Sequence, residues 1–191
     1  TTATYIVTTT LNGCITSDTV VVTSAPQPTA NAGPDVFICS GQSISIGTPG
    51  TTGYTYTWTP VTGLSNANNA VTNATGTNTG TSPVNNTYIV NVNAFGCIDA
   101  DTVTVQVRPN PVSNAGANQL LCAGSTVQLG TTSTTGYTYS WSPGNGLNNT
   151  TISNPTLTLN NTGTTPTTAT YIVTTTLNGC ITSDTVVVTS A

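Results

Sequence analysis

A chain of 191 residues with a formal net charge of −4 carries one arginine and five aspartates, and has no histidine, lysine, glutamate or methionine. General acid–base catalysis draws mostly on His, Glu, Asp and Lys, and zinc sites on Cys, His and carboxylates, so little remains from which to build either, and no metal site or cofactor is expected. A single cation, Arg108, cannot neutralise a run of phosphates, which argues against nucleic-acid binding, and no apolar run approaches the roughly 20 residues of a membrane-spanning helix.

Threonine and valine favour strands, while the abundant Gly, Asn, Ser and Pro favour turns. Segment 1–25 is identical, letter for letter, to 167–191, yet matches 84–108 at only about half its positions. It reads as the C-terminal strands of a preceding repeat. The other reading is a swapped hairpin that completes a neighbouring subunit. From residue 26 the elements come in order. Val36–Cys39 is a brief apolar strand, followed by a turn at Ser40-Gly-Gln42. Ser43–Ile46 places Ile44 and Ile46 on one face. Tyr54, Tyr56 and Trp58 alternate with Thr55, Thr57 and Thr59, the period-2 pattern of a strand with one buried face. Thr87–Asn93 is a strand that turns at Ala94-Phe-Gly96. Asp101–Val107 follows, with Val103, Val105 and Val107 inward.

Residues 109–191 then repeat 26–108 without a gap, at 37 of 83 identical positions. Two complete modules follow, 26–108 and 109–191, of alternating type, so the full period is 166 residues. About seven short strands per module predict an all-β, immunoglobulin-like Greek-key sandwich. Trp58 and Trp141 are predicted core residues. Tyr88 and Tyr171, at the start of the penultimate strand, resemble a tyrosine corner. The junctions Ser24-Ala-Pro-Gln-Pro28 and Arg108-Pro-Asn-Pro111 are stiff and extended, which predicts beads in a fibre.

The five cysteines follow the repeat: Cys14, Cys97 and Cys180 are spaced by 83, as are Cys39 and Cys122. In a sandwich the short early strand lies beside the last one. That neighbourhood predicts the disulfides Cys39–Cys97 and Cys122–Cys180, with the partner of Cys14 in the preceding repeat. Disulfides imply an oxidising, extracellular or cell-surface setting. The other reading is a set of buried free thiols.

Asn31-Ala-Gly-Pro-Asp35, the Tyr-x-Tyr-x-Trp strand and the closing Thr-Tyr-Ile-Val, Gly-Cys and Asp-Thr-Val runs resemble PKD-type, Ig-like repeats. The cysteine-bearing variety in large secreted surface proteins of Bacteroidota is the nearest in pattern. Trp58-Thr-Pro60 and Trp141-Ser-Pro143 stand where standard PKD domains carry an acidic, glycine-rich turn, so no ligand site carries over. The resemblance implies a stalk, spacer or adhesin shaft. It also implies O-glycosylation at Asp-Thr-Val, making Thr19, Thr102 and Thr185 candidate sites; the plainer reading of each is an ordinary strand start.

The leading expectation is thus a structural protein of an extracellular filament or adhesin stalk, not an enzyme, whose partners are further copies along or beside the fibre. The alternatives are a carbohydrate- or ice-binding sandwich and a non-catalytic spacer of a secreted hydrolase. With no lysine, and its one arginine before Pro109, the chain is expected to resist trypsin even when denatured and reduced. Intact mass after digestion in urea checks this, and rapid fragmentation would contradict it.

Overall fold

The computed structural model describes all residues from Thr1 to Ala191 and contains fourteen strands and no helix. Strands β1 (Thr2–Leu11) and β2 (Cys14–Thr23) form an antiparallel hairpin in register from Thr2↔Thr23 to Leu11↔Cys14. Its two-residue turn is Asn12-Gly13, with φ of 49° and 84°. Both residues are left-handed, the geometry that matches strand twist and that Asn-Gly tolerates best. Every residue of the hairpin strands is exposed.

The next six strands make the first sandwich: β3 (Val36–Cys39), β4 (Ser43–Gly47), β5 (Thr55–Thr59), β6 (Val71–Thr75), β7 (Val84–Ala94) and β8 (Cys97–Arg108). One sheet has the order β3-β8-β7-β5 and the other is β4-β6. The second sandwich repeats this with β9 (Gln119–Leu121), β10 (Thr126–Gln128), β11 (Thr138–Ser142), β12 (Thr156–Thr158), β13 (Thr167–Leu177) and β14 (Cys180–Ser190), in sheets β11-β13-β14-β9 and β10-β12. The short first strand β9 runs parallel to the last, β14, while β11, β13 and β14 pair antiparallel. Each sandwich is therefore Ig-like. It has six strands where the pattern suggested about seven. Between β5 and β6 only the bridge Leu64↔Ala74 forms, in a stretch broken by Pro60 and Gly63. The two closing strands are longer than their alternation predicted.

Alternation along the strands builds the core. Trp58 pairs with Val90 across β5 and β7 and is fully buried with Tyr88, Val92, Val103, Val105 and Val107. In the second sandwich Trp141 packs with Leu121, Leu129, Leu157, Tyr171, Val173, Val186 and Val188. Each indole N–H is satisfied: Trp58 donates to the Asn69 carbonyl at 2.8 Å and Trp141 to that of Ile152 at 2.9 Å. Gly47, at φ 87°, lets the ring of Trp58 lie against the chain. A methyl there would overlap the Ala70 carbonyl oxygen and crowd the indole, and Gly130 stands in the same way on Ser153 and Trp141. The second core is the less apolar. Thr175 and Ser190 are buried with no partner for their hydroxyls, at the positions of Val92 and Val107 in the first.

The compact units do not follow the 83-residue period. Thr1–Val36, Ser43–Thr75 and Asn85–Val105 form one, and Phe37–Gln42, Gly76–Val84 and Gln106–Ala191 form the other.

Candidate functional site

Four of the five acids hold the backbone of a segment distant in sequence. Asp99 Oδ2 accepts the N–H of Ala30, Asp101 Oδ2 that of Ala32, and Asp184 Oδ2 that of Ala115, each at 2.8 Å; Asp35 Oδ1 accepts that of Thr104 at 2.7 Å. The segments entering each sandwich are laced to its last strand in this way. Asn118, in the place of Asp35, accepts the N–H of Val187 at 2.9 Å. The N–H groups of Ala32 and then Thr102 hold Asp101 below the ordinary carboxylate value, and burial opposes them weakly. The folded state favours the charged form, so this stabilisation is present at neutral pH. It fades as pH falls below about 4, toward the depressed value. Asp101→Asn is expected to narrow the gap in thermal midpoint between pH 7 and pH 3, as read by circular dichroism.

The cysteine pairing inferred from sequence is corrected. Cys39 is bonded to Cys180, 141 positions away, with Cα atoms 5.5 Å apart, whereas Cys14, Cys97 and Cys122 are free thiols. Neither Cys39–Cys97 nor Cys122–Cys180 forms, and the reason is strand length. β9 does lie beside β14, but Leu121 pairs with Ser190 at the end of that strand, and Cys180 begins it. About 33 Å of extended chain separates the two ends, against the roughly 7 Å a disulfide tolerates. Likewise, the Ser40 N–H donates to the carbonyl of Arg108, the last residue of β8, and Cys97 is the first. The neighbouring strands were read correctly and the ends were not.

The Cys39–Cys180 bridge sits in a small built site inside the second compact unit. The guanidinium of Arg108 lies 3.6 Å above the ring of Phe37. Its Nη1 donates to the Asn178 carbonyl at 2.6 Å and its Nε to Gln106 Oε1 at 2.9 Å. Asn178 and Gly179, with φ of 49° and 87°, make the tight β13–β14 turn that presents this carbonyl and then Cys180. Asn110 Nδ2 donates to the Ser40 carbonyl at 3.0 Å. The only basic side chain is thus held in a structural contact.

Sequence reading missed this use of Arg108 and Phe37, and it missed two structural asparagines, Asn78 buried and Asn161 half-buried. Asn78 Nδ2 donates to the carbonyls of Ser82 and Val107, and Asn161 Nδ2 to those of Thr165 and Ser190. Their signal was available: Asn78-Thr-Gly80 and Asn161-Thr-Gly163 recur at the repeat spacing.

Other sequence candidates take these places. Tyr88 and Tyr171 are buried, which raises the pKa of both phenols, and donate to the carbonyls of Thr62 and Asn145 at 3.1 and 2.7 Å. Those carbonyls lie in the loops after β5 and β11, more distant in sequence than a tyrosine corner reaches. Thr19, Thr102 and Thr185 are exposed, as are Thr55, Thr57 and Thr59 on the edge strand β5 and Phe95 at the β7–β8 turn. A cleft of about 400 Å³ is lined by Asn78, Thr79, Asn110, Thr134, Tyr137 and Leu177, among others. It gathers no acid–base pair. No three His, Cys, Asp or Glu side chains converge anywhere, and no helix is long and apolar enough to cross a membrane.

No protein-family model matches the chain, and no curated protein matches it in sequence. Solved structures similar to it include an I-band fragment of titin, I67–I69, at 12% identity and a TM-score of 0.39, over 82% of this chain and 62% of that one. Extracellular domains 3–5 of Drosophila OTK align at 12% identity and a TM-score of 0.47, over 98% and 70%. The endo-fucoidan hydrolase MfFcnA4, of glycoside hydrolase family 107, aligns at 10% and 0.35, over 100% and 34%. The chain therefore spans less than two thirds of the titin fragment. The fold assignment rests on strand order and not on these similarities.

Proposed function

We propose that this chain is part of a non-catalytic, extracellular shaft, a filament or adhesin stalk built from alternating Ig-like modules at 26–108 and 109–191. The hairpin at 1–25 carries the reading. Tyr5, Val7, Val20 and Val22 are 60%, 63%, 57% and 51% exposed, whereas the identical Tyr171, Val173, Val186 and Val188 are at most 1% exposed inside the second sandwich. The hairpin's apolar face is thus made for a body like 109–166, and it belongs to another module of the same kind. Asp18, in the place of Asp184, accepts the neighbouring N–H of Thr19 and is free to take an entering segment as Asp184 does.

The use of Asp35, Asp99, Asp101, Asp184 and Arg108 as structural ties supports a role without catalysis. The resemblance to PKD-type repeats of Bacteroidota surface proteins supports the setting, and the exposed hydroxyls of Thr19, Thr102 and Thr185 suit glycan attachment. Electron microscopy of native material without reductant tests the reading. Long filaments with an axial repeat of two modules are expected, and isolated short rods would overturn it.

A further inference from the structure

We infer that Cys39–Cys180 is one rung of a continuous disulfide ladder, in which Cys122 bonds to the Cys97 position of the following copy of the repeat and Cys97 to the Cys122 position of the preceding one. The 83-residue period maps Cys39 onto Cys122 and Cys180 onto Cys97. The observed bond joins the early strand of the module 26–108 to the hairpin tip of 109–191, one module later. Applied once more, the same rule sends the exposed Cys122 forward and Cys97 back. Within one sandwich neither bond can form, because the two thiols stand at opposite ends of the last strand.

The surroundings of the free thiols support the same pairing and add a selection rule. At the observed rung the socket is Phe37 with Arg108, and the tip is Asn178-Gly-Cys180, whose carbonyl the arginine binds. At the proposed rung the period puts Leu120 in place of Phe37, Ala191 in place of Arg108 and Phe95 in place of Asn178. Leu120 is 71% exposed and Phe95 74%. An apolar tip thus meets an apolar socket from which the cation has been removed. The Phe95-Gly-Cys97 tip has the same left-handed turn as its counterpart, with φ of 54° and 88°. Asn tips suit the Arg108 socket and Phe tips the Leu120 socket, so the two rung chemistries impose the alternation of module types.

Each rung forms as two thiols release two protons and two electrons, reducing one glutathione disulfide to two glutathione thiols. The inference takes only the presence of neighbouring copies from the shaft reading.

The full chain carrying Cys14→Ser, Cys39→Ser and Cys180→Ser keeps Cys97 and Cys122 as its sole thiols. Incubated at high concentration with oxidised glutathione, it is expected to form dimers and larger multiples on a non-reducing gel. A protease that cuts before aspartate places Cys97 in fragment 35–98 and Cys122 in 101–183. The expected cross-link joins one of each, and Phe95→Asp is expected to lower the polymer fraction several-fold. Monomers that retain both thiols, an intramolecular bond, or links between two copies of the same fragment would each overturn the ladder. They would leave the filament reading to microscopy. In the Cys14→Ser chain the same digest must join 35–98 to 101–183 within a monomer through Cys39–Cys180; separate fragments would overturn the rung from which the ladder is extended.

Discussion

Replacing Cys180 with alanine is expected to destabilise the oxidised chain by about 5 kcal/mol, as measured by denaturant unfolding without reductant. The bridge closes a loop of 141 positions, and chain entropy at that length gives this magnitude. Both bridged residues belong to the second compact unit, so that unit's transition should carry the loss. Cys39→Ala should have the same effect, and reduction of the unsubstituted chain should reproduce it. Cys97→Ser and Cys122→Ser in the isolated chain should leave the midpoint unchanged. A large loss from Cys97→Ser would instead indicate pairing within a sandwich and contradict the bond described here.

The second large effect is expected at the tryptophans. Trp141→Ala removes the largest side chain of the second core and leaves a cavity among Leu129, Leu157, Tyr171 and Val173, at about 3–5 kcal/mol. The Ile152 carbonyl also loses its indole donor. Since small domains hold only about 5–15 kcal/mol in total, the second sandwich should lose a large fraction of its stability. Trp58→Ala should do the same to the first, where the indole is fully buried. Because each core holds one tryptophan, Trp58→Phe leaves Trp141 as the sole fluorescent reporter of the second sandwich. An unchanged emission midpoint in Trp58→Ala, read from Trp141, would show that the sandwiches unfold independently.

Alternation was the legible part of the fold. Tyr56 and Trp58, and Val103, Val105 and Val107, show their buried faces through strict period-2 spacing with threonine or glutamine between them. The repeat marked both cores at once. What stayed hidden depends on position along strands rather than on their identity. Cys39 and Cys97 belong to neighbouring strands, but spacing in sequence does not say that β8 carries one thiol position to its far end. The roles of Asp99, Asp101 and Asp184 were also out of reach, since each accepts a hydrogen bond from a residue 69 positions earlier. No local pattern encodes such a contact. The six-strand count reflects Pro60 and Gly63, whose presence could have demoted the missing strand.

The two identical hairpins leave the folding chain with a choice between chemically equal donors. A body of the 109–166 type can accept 167–191, or 1–25, with the same side chains in the same register, and no difference in contact energy separates them. Tether length decides. Segment 167–191 follows its body directly, and the high effective concentration of a short connection favours it over a donor that lies a full module earlier in the chain. The preference is kinetic and statistical, and it weakens as other molecules crowd in and supply the same hairpin from outside. Concentrated refolding is therefore the regime in which these chains exchange hairpins, and exchange joins them through cores indistinguishable from those of a single chain.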